Sequence, residues 1–147
     1  MFKKILVTLD GSEFSERALK PAFQIAEKFD SEVTLLRVAM AQQYVTMPAG
    51  TGTLYPDPAL ERDREEAEAY LRAIKTQWLA ARVSVHTEII AGLPAEMILD
   101  VADVDGIDLI VMSTHGRSGL SRLLYGSVAE SVLRGAQVPV LLIPIKH

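Results

Sequence analysis

The sequence predicts an α/β fold: a parallel sheet with helices on both faces. Three observations carry that expectation. Strand-like runs alternate with helix-length segments along the whole chain. The first run is short, apolar and rich in β-branched residues, as a strand buried on both faces is. The 147 residues show no internal repeat and no second compositional block, so one domain spanning 1–147 is expected. Strands alternating with helices imply right-handed βαβ crossovers.

Residues 3–10 (KKILVTLD) form the first expected strand, ended by Asp10-Gly-Ser. Ser12 or Ser15 can cap the next helix, whose apolar face is Ala18, Ala22, Ile25 and Phe29. Residues 32–38 (EVTLLRV) are the second strand. Residues 39–56, rich in Gly, Thr and Pro, break the rhythm and read as a surface loop, either a lid over a ligand or a plain insertion. Asp57 or Pro58 opens a long helix to about Ala80, with the apolar stripe Leu60, Ala67, Leu71, Ile74 and Trp78. Its Glu/Arg-rich remainder reads as a solvated face.

Residues 83–90 are the third strand, and Gly92-Leu-Pro-Ala-Glu starts a short helix with Ala95, Ile98, Leu99 and Ala102 inward. Residues 108–112 (DLIVM) are the fourth strand, and a helix is expected from Ser127 to Arg134. The fifth strand runs from Val138 to Ile145 and carries Pro139 and Pro144, which cannot donate to a ladder and so push it to an edge. So apolar an edge would aggregate unless paired, which predicts a homodimer through this C-terminal strand.

Composition narrows the function classes. No cysteine is present, which excludes disulfides, thiol catalysis and thiolate metal sites. A net charge of −4 argues against sequence-independent nucleic-acid binding. The apolar runs are of strand length, so no membrane span is expected. Met1-Phe-Lys-Lys-Ile enters a strand-like run at once, without the apolar core and cleavage site of a secretory signal, which predicts a cytoplasmic protein.

The segment from Met112 to Val128 carries the chemistry. It leads from a strand into a helix start through Gly116, Gly119 and Gly126, with several hydroxyls, His115, Arg117 and Arg122. Glycines admit close backbone approach, and a helix start offers unpaired N–H donors with partial positive charge, so a phosphate-bearing ligand is expected. The plainer alternative is a βα turn whose glycines serve backbone geometry alone. Neither a Walker loop nor the dinucleotide Gly-x-Gly-x-x-Gly is present. Arg117 and Arg122 are either phosphate clamps or surface charges. No His/Asp/Glu cluster has metal-ligand spacing, so any Mg²⁺ would arrive with the phosphates.

Gly116, nine residues and then Gly126-Ser127 resemble the signature of the universal stress protein (UspA-like) family in its ATP-binding branch, Gly-x2-Gly-x9-Gly-Ser/Thr. Ser113 stands where the first glycine would be. The resemblance extends to Leu9-Asp-Gly-Ser12, Thr34-Leu-Leu-Arg-Val38, Gly92-Leu-Pro-Ala-Glu96, residues 108–112 and residues 138–142. It implies a Rossmann-like, adenine nucleotide alpha hydrolase-like sheet of order 3-2-1-4-5, with nucleotide at the carboxyl ends of strands 1 and 4. By position, it implies that the Val38 backbone holds adenine and that Thr8 and Met112 wall its pocket. Asp10 would meet the ribose side or a metal, Ser113 and Gly116 would lie close to ribose and phosphates, and Gly126, Ser127 and Val128 would donate to phosphate oxygens. For Asp10 the residues themselves equally support a role in capping the next helix. If the missing glycine serves a positive φ, Ser113 would be strained; if it serves close approach, serine fits.

The function expected is an ATP-binding, nucleotide-linked stress-response module in which ligand orders the 39–56 loop and so changes a partner surface. The rivals are a slow ATPase or phosphotransfer enzyme using His115, Arg117 and Asp10, and a nucleotide-free dimeric interaction protein of the same family. An FMN carrier fits less well, since its phosphate loop would follow the first strand.

Overall fold

The computed structural model describes residues 1–39, 58–114 and 126–145. The loop expectation for residues 39–56, and those for His115, Gly116, Arg117, Gly119 and Arg122, therefore lie outside the described residues, apart from Ala39. The elements are β1 (Lys4–Leu9), α1 (Glu13–Glu16), α2 (Leu19–Phe29), β2 (Glu32–Ala39), α3 (Pro58–Gln77), β3 (Ser84–Ala91), α4 (Pro94–Val104), β4 (Leu109–Ser113), α5 (Ser127–Gly135) and β5 (Val140–Ile143). The five strands pair in parallel in the order β3-β2-β1-β4-β5, the order that the resemblance implies.

Alternation along β1 divides the core. Ile5, Val7 and Leu9 pack with Val33 and Leu35 of β2 under Leu19, Phe23, Leu71 and Ile74 of α2 and α3. Leu6 faces the other way, with Leu36 and Ile110, under Ile98, Val101 and Val132 of α4 and α5. Each such fully buried side chain contributes about 1.5–3 kcal/mol of transfer free energy. A sheet wound this way leaves a crevice where β1 meets β4, at the carboxyl ends of the strands.

The first helix differs from its expected form. The helix stops after Glu16 and restarts at Leu19, because Pro21 has no N–H to give the Arg17 carbonyl and is tolerated only in a first turn. The buried face is Leu19, Ala22, Phe23 and Ala26, while Phe29 is 41% exposed. Phe29 instead meets Phe2 edge-on, with ring centroids 5.5 Å apart. The helix ends at Asp30, in the left-handed conformation at φ 54°.

The stripe of α3 is borne out at Ala67, Leu71 and Ile74. Trp78 lies just past the helix end but still serves the core, stacked on Phe23 at 4.4 Å. β5 is half its expected length: Pro139 and Pro144 bracket its four residues, as rings without N–H must.

Candidate functional site

β1 ends in the turn Asp10-Gly11-Ser12, held by a closed set of hydrogen bonds. Asp10 Oδ1 accepts from the Ser12 backbone N–H at 2.9 Å and from the Ser12 hydroxyl. Ser12 Oγ caps α1 by accepting from Ser15 N–H at 3.2 Å. Ser15 Oγ accepts from Asp10 N–H at 3.2 Å and donates to the Ser12 carbonyl at 2.9 Å. The cap of α1 is thus Ser12 and not Asp10, which braces the turn that holds Ser12 and also lines the adjoining cavity.

Gly11 has φ +86°, and a Cβ there would stand 2.6 Å from Arg37 Nη1. Glycine is therefore needed both for its backbone conformation and for the approach of that guanidinium. Arg37 lies opposite Leu9 in the β1–β2 register and sits over the ring of Tyr70 on α3. Burial, then the charge of Glu16, pushes the Tyr70 phenol up to about 12. Burial, with Glu13 and Asp10 nearby, raises the Glu16 carboxyl above its ordinary range.

On the other side of the crevice β4 ends at Ser113, which is 7% exposed and paired with Ile143. Among the described residues only Asp30 is a non-glycine with positive φ, so Ser113 carries no backbone strain. Thr114 N–H donates to the Ile143 carbonyl, and Gly126 N–H donates to the Thr114 carbonyl, which holds the start of α5 beside the end of β4. Gly126 is the N-cap of α5 and has no side chain with which to cap that end. The first-turn N–H groups, with their partial positive charge, therefore point out of the helix start.

Between these two sides lies a cavity of about 450 Å³, within the range of small-molecule sites. Thr8, Asp10, Val38, Met112, Ser113 and Val128, all named from the sequence, line it together. Gly126 and Ser127 adjoin it through Val128 at the head of α5. Leu36, Pro94 and Ile98 complete an apolar wall on the α4 side. The α3 side is polar: Ser15, Arg37, Asp63 and Glu66.

Of these four, the sequence singled out only Ser15, and that as a helix cap. Asp63 and Glu66 belong to a charged helix face that reads as solvated, and only packing turns its first two turns toward the strand ends. Arg37 carried a usable signal: a charge inside an otherwise buried strand needs a partner or a function. Among the described residues no group of three or more His, Asp or Glu gathers to hold a metal ion, and no helix is long and apolar enough to cross a membrane.

The sequence pattern of the Universal stress protein family matches residues 1–144. Universal stress protein MJ0531 of Methanocaldococcus jannaschii is 38% identical over 97% of this chain and 82% of its own. The solved structure of universal stress protein UspA from Lactobacillus plantarum superposes with a TM-score of 0.80 at 26% identity, covering 97% of each chain. A universal stress protein crystallised in complex with cAMP superposes at 0.73, with 23% identity and 97% of each chain covered.

Proposed function

Because the chain belongs to the universal stress protein family, we propose that it is a cytoplasmic, nucleotide-linked stress-response module that binds ATP in the cavity at the carboxyl ends of β1, β2 and β4. The observation that carries this reading is the convergence of Thr8, Asp10, Val38, Met112, Ser113 and Val128 on one cavity next to a helix start whose N-cap is a glycine. The cAMP complex of a family member supports an adenine nucleotide as the ligand class.

The cavity's two chemistries suit the two ends of such a ligand. Adenine lies against the apolar wall of Leu36, Ile98 and Met112, with the Val38 backbone as its hydrogen-bonding edge. The phosphates lie toward Gly126, Ser127 and Val128, where the helix dipole and N–H donors favour negative charge. The α3 side sets Asp63 and Glu66 against the one cation Arg37, a net negative charge that disfavours phosphate there, in agreement with the donor supply at α5. Gly116 and Arg117 complete the phosphate end in this reading, and Mg²⁺ is carried by the phosphates. The protein works as a homodimer paired through β5.

The test is the nucleotide content of freshly purified protein, followed by calorimetric titration of ATP with Mg²⁺ into wild type and Gly126→Val. Co-purified ATP, or binding that the valine variant loses while its thermal melt is retained, supports the reading. Absence of binding in wild type removes it.

A further inference from the structure

We propose that the open edge of β3, together with the cationic groove between it and α3, docks an extended acidic segment of another protein as a sixth strand. β3 is eight residues long and, among the described residues, ends the sheet on its side. Gly92 N–H donates inward to the Ala39 carbonyl. By strand alternation the even-numbered residues of β3 therefore bond to β2, and Val85, Thr87 and Ile89 turn their N–H and C=O groups outward. Such an edge is a template for strand addition.

The side chains of those same residues face α3, and a groove of about 440 Å³ runs there, floored by Leu71, Thr87 and Ile89. Its rim is Arg64, Arg72, Lys75 and Glu68. Glu68 is held by Arg64 at 3.6 Å, whereas Arg72 and Lys75 enter no ion pair among the described residues. A chain of net charge −4 thus presents three cations against one carboxylate along its longest open strand.

An added strand would place alternate side chains in this groove and the others beside His86 and Glu88 on the opposite face. The chemistry selects acidic residues at every second position, with neutral or basic residues between them. A second copy of this chain is the wrong occupant. Antiparallel pairing of β3 with itself across a two-fold axis puts both α3 helices on one side of the joined sheet, so their cations would face each other. β5 differs at each point, being short, apolar and bracketed by prolines. The two edges of the sheet therefore take different partners.

The probe is a fluorescein-labelled peptide of alternating Glu and Thr, about ten residues long, the upper end of ordinary strand length. Controls replace Glu by Lys, or N-methylate every peptide bond, which keeps the charge but deletes the N–H donors in either strand direction. Fluorescence anisotropy should show binding of the Glu-Thr peptide alone, weakened about tenfold by the pair Arg72→Glu and Lys75→Glu. Thr87→Pro, which removes an outward N–H that the sheet does not use, should abolish it while Trp78 emission stays native. Lack of binding, equal binding of the N-methylated peptide, or indifference to the charge reversal overturns the proposal. Self-association lost in Thr87→Pro would overturn it too, making a second copy the occupant.

Discussion

The guanidinium of Arg37 stands 5.1 Å over the ring of Tyr70 and ties β2 to α3 on one side of the cavity that Arg37 lines. The contact holds a phenol whose oxygen is sealed from water and makes no well-formed hydrogen bond among the described residues. Ser15, which lies beside it, spends its one hydroxyl proton on the Ser12 carbonyl and so donates nothing to the phenol oxygen. The pair therefore gains from the ring face and not from the hydroxyl.

Tyr70→Phe keeps the ring and deletes the stranded oxygen. At neutral pH it should leave stability within about 1 kcal/mol of wild type, on the stabilising side. The alkaline limb separates the two proteins further. With the folded phenol raised to about 12, the unfolded chain loses its proton first, near 10, so stability is full below that pH and falls as pH rises toward 12. Urea melts across that window should show a shallower decline in Tyr70→Phe. A clear loss of stability at pH 7 would mean that the hydroxyl is bonded after all.

Gly11→Ala should cost about 1–3 kcal/mol, since it combines a left-handed backbone with a Cβ pressed on Arg37 Nη1. The two causes separate in a double variant. Adding Arg37→Ala removes the steric part and leaves the backbone part. Denaturant unfolding of the four proteins in the cycle measures the coupling. Strict additivity would sink the claim that the guanidinium occupies the space over Gly11.

Much of this architecture was legible because buried parallel strands announce themselves as apolar β-branched runs. β1 and β4 lie within a residue or so of their expected limits, and the buried positions of α3 fell on its predicted stripe. The departures have local causes. Pro21 divides the first helix, and Pro139 and Pro144 shorten β5. For the site, motif resemblance pointed to the residues near the chain's own glycines and strand ends. It was blind to Arg37, Asp63 and Glu66, whose place in the cavity depends on how α3 lies across β2. Periodicity identifies which helix face is apolar; it does not say what the helix's polar first turns will meet.

Ser113→Gly restores the glycine of the family signature, yet it should bring no gain in nucleotide affinity. Ser113 has ordinary strand geometry, so glycine relieves no strain there. The substitution should instead cost about 0.5–1 kcal/mol through added freedom in the unfolded chain. Thermal melts and ATP titrations of the two proteins check both halves. A marked rise in affinity would show that the serine side chain obstructs the ligand.

β5 supplies the last prediction. Val140, Leu141, Leu142 and Ile143 are each only half-buried, and the strand ends the sheet opposite β3. An apolar edge of this kind is stable in water when a second copy covers it, and a two-fold axis across β5 would continue the ladder without leaving an open edge at that seam. In such a dimer Ile143→Asp would bury one carboxylate from each copy near the axis, where like charges desolvate together. In the isolated chain the same substitution changes a position that is already partly wet. Sedimentation equilibrium should therefore show wild type as a dimer and Ile143→Asp as a monomer with a native circular dichroism spectrum. Thr87→Pro, at the far edge, should leave the dimer intact. A wild-type monomer, or a dimer that survives the aspartate, would move the interface away from β5.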